Sequence, residues 1–222
     1  MKNIGLPIKQ AGHTAPRGSI GFTLVESIMA VAVFIVLSIG VSTVTLTIMR
    51  SYRQQSASLT NVDQATIVAS RFTNELRNAS YGNDGAYPLN SAGPAEIVFF
   101  STVGAEPNQS NRIRYYLSGT SLYKGITAPS GSPPSYDLGS ETTDLVQNSV
   151  INYATTSIPL FYYYDGDYGG SGNPLSQPVN INDVKFVKIN LIVLKQPGIS
   201  TTTSFNLNTG ATLRNLKNNL GN

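Results

Sequence analysis

The chain has 222 residues, 15 of them basic and 12 acidic, which gives a formal net charge of +3, and it contains no cysteine and one histidine, His13. Without cysteine it has neither a disulfide framework nor a thiolate site. A lone histidine near the N-terminus leaves the rest of the chain without Ser-His-Asp catalysis or a His-ligated zinc site. The small net charge also argues against non-specific nucleic-acid binding, which requires clustered Lys and Arg.

A weakly hydrophobic, basic segment opens the chain. It carries Lys2, Lys9 and Arg17 and ends in Gly21, unlike the Ala-x-Ala end of a secretory signal peptide. Cleavage there would remove three of the 15 basic residues and no acidic one, so that twelve charges of each sign would remain. We predict that residues 1–21 form a separate leader.

A long uncharged segment follows. Ser27 to Met49 comprises 23 residues without a charge, and as a helix it would extend about 34 Å, enough to cross a hydrocarbon core of about 30 Å. This predicts a single transmembrane helix over residues 22–49. Glu26 lies at its start, and a carboxylate in a membrane-spanning segment is energetically costly, which indicates a functional role. One alternative is an ordinary single-pass anchor with Glu26 in the headgroup zone.

The junction between these two segments reads Gly-Phe-Thr-Leu-Val-Glu from Gly21 to Glu26. With its basic leader and apolar continuation, it resembles the processing site of type IV prepilins and of the related type II secretion pseudopilins. The resemblance covers residues 17 to about 50. It implies that a prepilin peptidase cleaves after Gly21 and methylates the new terminal amine of Phe22. It also implies that Glu26 neutralises the terminal amine of a neighbouring subunit as a filament grows.

Elementary electrostatics agrees with this implied role of Glu26. A terminal amine with a reference pKa of about 7.7 to 8.0 is largely protonated at neutral pH. The amine and the carboxylate would each be costly in a dry helical bundle, and pairing offsets both penalties. The carboxylate also lies in the first helical turn, where the macrodipole favours negative charge by about 0.3 to 1 kcal/mol.

The resemblance further implies a structural subunit, either a minor pilin or a J-like pseudopilin, and not an enzyme. Its partners would be the prepilin peptidase, other pilin or pseudopilin subunits and an inner-membrane assembly platform. It would reside in the cytoplasmic membrane with its head outside the cytoplasm, and then in a surface pilus or a periplasmic pseudopilus. The minor or J-like assignment depends on size and on residues 71–77. The alternative is a membrane-anchored adhesin or ligand-binding module that joins no filament.

Past Met49 the pattern becomes amphipathic, and one continuous helix is predicted from Phe22 to about Ser80, ended by the glycine-containing segment 81–85. Residues 40–45 are poor helix formers, and a comparable segment melts on assembly in the pilins that this chain resembles. We therefore predict partial melting around residues 38–46 in a filament. The buried stripe is predicted from spacings of three and four at Leu59, Val62, Thr66, Ala69, Phe72, Leu76 and Ala79.

After residue 82 the signals are those of β-strands and turns. The predicted organisation is a leader at 1–21, a helix at 22–81 and a β-rich head at 82–222. The order predicts a pilin-like α+β fold in which the helix packs on an antiparallel sheet. Residues 128–136 are predicted as an exposed loop, and 145–153 as either a strand or a short helix plus strand. Predicted strands lie at 96–101, 112–117, 158–164, 184–194 and 204–207, with a hairpin turn at 118–121 leading into a strand at 122–123.

The glycine-rich segment 165–173 offers Asp165 and Asp167 as candidate calcium ligands. An EF-hand would need a third oxygen ligand at Gly169 and a distal glutamate, and neither is present. A flexible hairpin tip is therefore the preferred interpretation, and no cofactor is predicted.

Two further groups of residues allow both a functional and a structural interpretation. The first group forms either a binding surface or half-buried strand positions, and the second either contacts DNA or polysaccharide or protects an edge strand by charge. The structural interpretation is preferred for both. The first group is Tyr162, Tyr163, Tyr164 and Tyr168, and the second is Arg112, Arg114 and Lys124.

Overall fold

The computed structural model describes residues 21–153, 156–195 and 203–213, so all of the predicted leader except Gly21 lies outside the described residues. The chain divides into a first unit that ends at Arg50 and a second that begins at Ser51.

One helix, α1, covers Leu24–Arg77 and contributes to both units. Both of its ends lie within about three residues of the predicted ones. It is unbroken across residues 38–46. The predicted melting of that segment concerns an assembled filament and stays a prediction.

The second unit contains the strands. The predicted strand at 96–101 is confirmed with the same bounds, and the hairpin is confirmed with Gly119 at a positive φ of 60° in its turn. Such a φ suits a residue without a Cβ. Among the described residues the strands are β1 Leu89–Ala92, β2 Glu96–Ser101, β3 Asn111–Ser118, β4 Ser121–Thr127, β5 Thr142–Gln147, β6 Phe161–Tyr164, β7 Phe186–Leu194 and β8 Ser204–Thr212.

These strands form two antiparallel sheets, where one was predicted. The first has the order β1-β2-β3-β4-β5 and the second the order β6-β7-β8. The α+β class is therefore confirmed. Strand β1 was not predicted, because it is short and its pairing with β2 shifts register between Leu89 and Ser91. The ambiguous segment 145–153 is a strand to Gln147 and then turns.

The core lies between the sheets and the C-terminal part of α1, with Phe72 at its centre. The centre of the Phe72 ring lies 5.3 Å from that of Tyr115 and 6.0 Å from that of Phe99 in the first sheet. It lies 5.5 Å from the centre of the Phe161 ring in the second sheet. Two of these contacts are edge-to-face, an arrangement favoured by the aromatic quadrupole. One helical side chain thus joins both sheets.

The predicted helix stripe is correct at its C-terminal end and wrong at two N-terminal positions. Leu59 is 66% exposed, and Thr66 is exposed with its hydroxyl donating to the carbonyl of Val62 at 3.0 Å. Ala65 and Glu75, which the apolar pattern passed over, lie in the buried face instead.

Candidate functional site

The entry to α1 is a capped helix N-terminus. The backbone N–H of Glu26 donates to the hydroxyl of Thr23 at 3.3 Å, and the N–H of Ser27 donates to the carbonyl of Thr23 at 3.1 Å. Thr23 is thus the N-cap and Glu26 the third helical residue. This is the Thr-x-x-Glu spacing of a capping box, of which the structure shows the bond to the Thr23 hydroxyl. This capping role of Thr23 was not predicted, although the Thr-x-x-Glu spacing indicates it.

The step between Gly21 and Phe22 lies outside the helix and is accessible. Both residues are exposed, and the Phe22 side chain is 75% exposed. Glu26 is also exposed, in the first turn of α1. Within the described part of the chain its carboxylate has no ion-pair partner.

The helix beyond Glu26 presents apolar side chains around its whole circumference. From residue 21 to residue 50 every residue is exposed except Ser38, which is half-buried. A helix that is apolar all round is stable in an apolar surrounding. Of the helices in the described ranges, α1 has the length and hydropathy to cross a membrane. This is consistent with a single-pass membrane protein.

The hydroxyl groups of this segment bond to the helix itself. Ser42 donates to the carbonyl of Ser38 at 2.7 Å, and Thr45 and Thr47 donate one turn back at 2.9 Å each. Thr43 donates to the carbonyl three residues earlier at 2.8 Å. These polar groups therefore need no water, which a hydrocarbon core does not supply. Residues 40–45, although poor helix formers, can therefore remain helical in an apolar medium.

In the second unit, a buried charged group ties the helix to the first sheet. Glu75 of α1 and Lys124 of β4 form an ion pair between Oε1 and Nζ, and their side chains are 3% and 8% exposed. The hydroxyl of Tyr115 donates to the other carboxylate oxygen of Glu75 at 2.8 Å. Burial raises the pKa of Tyr115, and the charge of Glu75 raises it further. The hydroxyl therefore stays protonated and remains a donor.

The predicted edge-strand role of Arg112, Arg114 and Lys124 is wrong. Arg112 and Arg114 lie on β3 and Lys124 on β4. Both strands are interior, because β3 pairs with β2 and β4, and β4 pairs with β3 and β5. Lys124 points into the core, whereas Arg112 and Arg114 lie on the opposite face. Charge on these side chains therefore does not protect a sheet edge, because the backbones of β3 and β4 are each hydrogen-bonded to a neighbouring strand on both sides.

The Asp165 and Asp167 pair forms a local turn. The backbone N–H of Asp167 donates to the carboxylate of Asp165 at 3.2 Å, and both residues are exposed. The described residues contain no group of three His, Cys, Asp or Glu side chains placed to hold a metal.

Tyr162, Tyr163 and Tyr164 lie in β6, as the structural interpretation expected, but Tyr163 and Tyr164 are buried and only Tyr162 is half-buried there. Tyr163 is fully buried and donates to the carbonyl of Gly93 at 2.7 Å, and burial raises its pKa well above the ordinary value. Tyr168 stacks on Tyr164 at 3.9 Å. The rings of Tyr164 and Tyr168 therefore shield each other from solvent.

No protein-family model matches this chain, and no curated protein is significantly similar to it. The geometry defines an α+β chain that combines a β-rich unit with one N-terminal helix long and apolar enough to cross a membrane. The candidate site is its N-terminal segment, formed by Gly21, Phe22, Thr23 and Glu26 at the head of the apolar helix.

Proposed function

We propose that this chain is a subunit of a type IV pilus or of a type II secretion filament, most simply a minor pilin or a pseudopilin. The observation that carries the proposal is the position of Glu26. It is a carboxylate in the first turn of an exposed apolar helix, five residues after Gly21 and four after Phe22, whose connecting step is accessible.

The assembly mechanism follows from the chemistry of this segment. Cleavage between Gly21 and Phe22 creates a charged amine at the head of an apolar helix. In a bundle of such helices the amine of one subunit and the Glu26 carboxylate of the next offset each other's desolvation. Because Thr23 bonds the backbone N–H of Glu26 and not its side chain, capping leaves the carboxylate available for a neighbour.

The apolar helix supplies the driving force in this proposal. Its exposed side chains must be covered, first by lipid and then by equivalent helices in a filament core, where van der Waals packing dominates. The β-rich unit would form the outer surface of the filament. Before assembly, the subunit resides in the inner membrane with its β-rich head outside the cytoplasm.

The decisive experiment is mass spectrometry of the N-terminus after co-expression with an active prepilin peptidase. We expect the protein to begin at Phe22 with one added methyl group on its amine. Gly21→Val is the matched control, because a β-branched side chain beside the scissile bond should block processing. A wild-type protein that still begins at Met1 contradicts the proposal and favours a membrane-anchored ligand-binding module.

A further inference from the structure

The first sheet has an outer face, turned away from the core, that contains a polar trough. Its residues alternate along β3 with the buried Ile113 and Tyr115. The trough has a volume of about 510 Å³, within the range of about 300 to 1,000 Å³ that is typical of small-molecule sites. It is lined by Glu96, Arg112, Arg114, Tyr116, Leu138 and Glu141.

An ion-pair network crosses this trough. Arg114 bonds Glu96 at 3.1 Å and approaches Glu141 at 3.6 Å, and Arg112 bonds Glu141 at 3.4 Å. The hydrogen bond to Glu96 raises the pKa of Arg114. Two guanidinium groups thus share two carboxylates, and the net charge of the trough is zero. The side chains of Arg112 and Glu141 are only 14% and 13% exposed, so this network is largely fixed in place.

Gly125 makes room for the network. It lies on β4 opposite Arg114, and a Cβ there would overlap the carboxylate of Glu141. A side chain at this position would therefore displace Glu141 from between the two arginines. The overlap involves the end of a flexible side chain, so the displacement need not disturb the strand.

An aromatic surface continues the trough. The guanidinium carbon of Arg114 lies 4.0 Å from the centre of the Tyr116 ring, and Tyr116 stacks with Tyr123 at 5.5 Å. Leu138 and Leu145 are 60% and 46% exposed, and Leu145 is paired with Tyr123 across β4 and β5. Flat apolar surface therefore lies directly beside fixed donors and acceptors.

We propose that this outer trough binds a neutral oligosaccharide. A charged ligand gains little from a site whose charges already cancel, and it would have to break the existing ion pairs. Sugar hydroxyls both donate and accept, so they can use the guanidinium N–H groups and carboxylate lone pairs that the ion pairs leave free. The apolar face of a sugar ring can lie on the tyrosines, which combine contact area with a polar tip.

The site lies wholly within the second unit, so it does not depend on the proposed filament. The test uses the full chain in a zwitterionic detergent, because maltoside headgroups would compete. The probes are maltohexaose, cellohexaose and N-acetylchitohexaose, with hexagalacturonate as the anionic comparison, each titrated by saturation-transfer NMR. We expect at least one neutral probe to bind with a Kd of about 1 mM or lower.

Three variants make the test specific. Gly125→Ala should weaken binding of the neutral probe about tenfold or more, a loss of about 1.4 kcal/mol. Glu141→Gln leaves a net positive trough and should shift preference toward hexagalacturonate. Asn208→Ala, on the exposed part of β8 in the other sheet, should bind as the wild type does.

Several results would overturn the proposal. The first is that the wild type binds no neutral probe. The second is that the wild type binds hexagalacturonate more tightly than every neutral probe. The third is that folded Gly125→Ala binds the neutral probe as tightly as the wild type does. A Glu141→Gln variant with unchanged preference would also contradict the role assigned to charge balance. The thermal unfolding midpoint of each variant establishes that it is folded.

Discussion

Glu75 on α1 and Lys124 on β4 form a buried ion pair across 49 residues of sequence, with the Tyr115 hydroxyl on the second carboxylate oxygen. Removing one partner of a buried pair leaves an uncompensated charge, which costs about 3 to 5 kcal/mol. This contact is therefore a sensitive point in the attachment of the helix to the first sheet.

We expect Lys124→Met to lower the free energy of unfolding of the second unit by about 3 to 5 kcal/mol, measured by urea unfolding with circular dichroism. The control Arg77→Met, at an exposed position of α1, the helix that carries Glu75, should cost less than about 1 kcal/mol. Adding Glu75→Gln to Lys124→Met removes the stranded charge and keeps an acceptor for Tyr115. If this double variant is no more stable than Lys124→Met alone, the assigned electrostatic cause is wrong.

Alkaline pH should destabilise the second unit through its buried tyrosines. Burial raises the pKa of Tyr115 and of Tyr163 above the ordinary value of 10.0. Both tyrosines are protonated in either state below about pH 10, so their contribution to stability is complete there. Above it, only the unfolded state loses these protons, and stability falls by about 1.4 kcal/mol per pH unit for each tyrosine until the folded-state pKa is reached.

Urea unfolding between about pH 9 and about pH 11 measures this slope. Tyr163→Phe loses its hydrogen bond at every pH, but it should show a shallower decline with pH than the wild type. Tyr153→Phe, at an exposed position, serves as the control and should leave the slope unchanged. Equal slopes for all three proteins would contradict the prediction.

The helix cap predicts a local effect at the head of the apolar segment. Thr23→Val removes the acceptor for the N–H of Glu26 and should destabilise the first turn by about 0.5 to 2 kcal/mol. Hydrogen exchange of the Glu26 amide in detergent micelles should then accelerate, whereas Thr23→Ser should preserve its protection. Slow exchange in Thr23→Val would show that the hydroxyl does not cap the helix.

The proposed function predicts that capping and assembly are separable. Glu26→Ala removes the carboxylate but retains the backbone N–H that Thr23 bonds. We expect this variant to insert into the membrane and to be processed, and yet to be absent from sheared filaments. Asp63→Ala, at an exposed position in the second unit, should assemble normally. Normal incorporation of Glu26→Ala would remove the basis of the proposed assembly mechanism.

Local patterns predicted the helix and the hairpin because their signals lie within a few consecutive residues. The uncharged segment and the three-to-four spacing indicated α1, and Gly119 with its polar neighbours indicated the turn between β3 and β4. The division into two sheets was not predictable in this way. It depends on which strands, distant in sequence, pack against each side of the Phe72 ring. The residue pattern within a single strand contains no information about that packing.

The buried charges were missed for a related reason. An isolated Glu in an amphipathic pattern indicates the solvent face, and only the approach of Lys124 from β4 makes burial of Glu75 tolerable. Likewise Gly125 lies in a strand in which a glycine has no evident local role. Its role depends on Glu141, 16 residues further along the chain.

The internal hydrogen bonds of Ser42, Thr43, Thr45 and Thr47 have a consequence for transfer between environments. Each hydroxyl keeps its acceptor within the helix, so moving this segment from lipid to a protein bundle breaks none of these bonds. Only apolar contacts are exchanged, and the exchange can be reversed. A subunit built on such a segment could leave the bilayer, enter an assembly and return without any of these four hydroxyl groups changing partner.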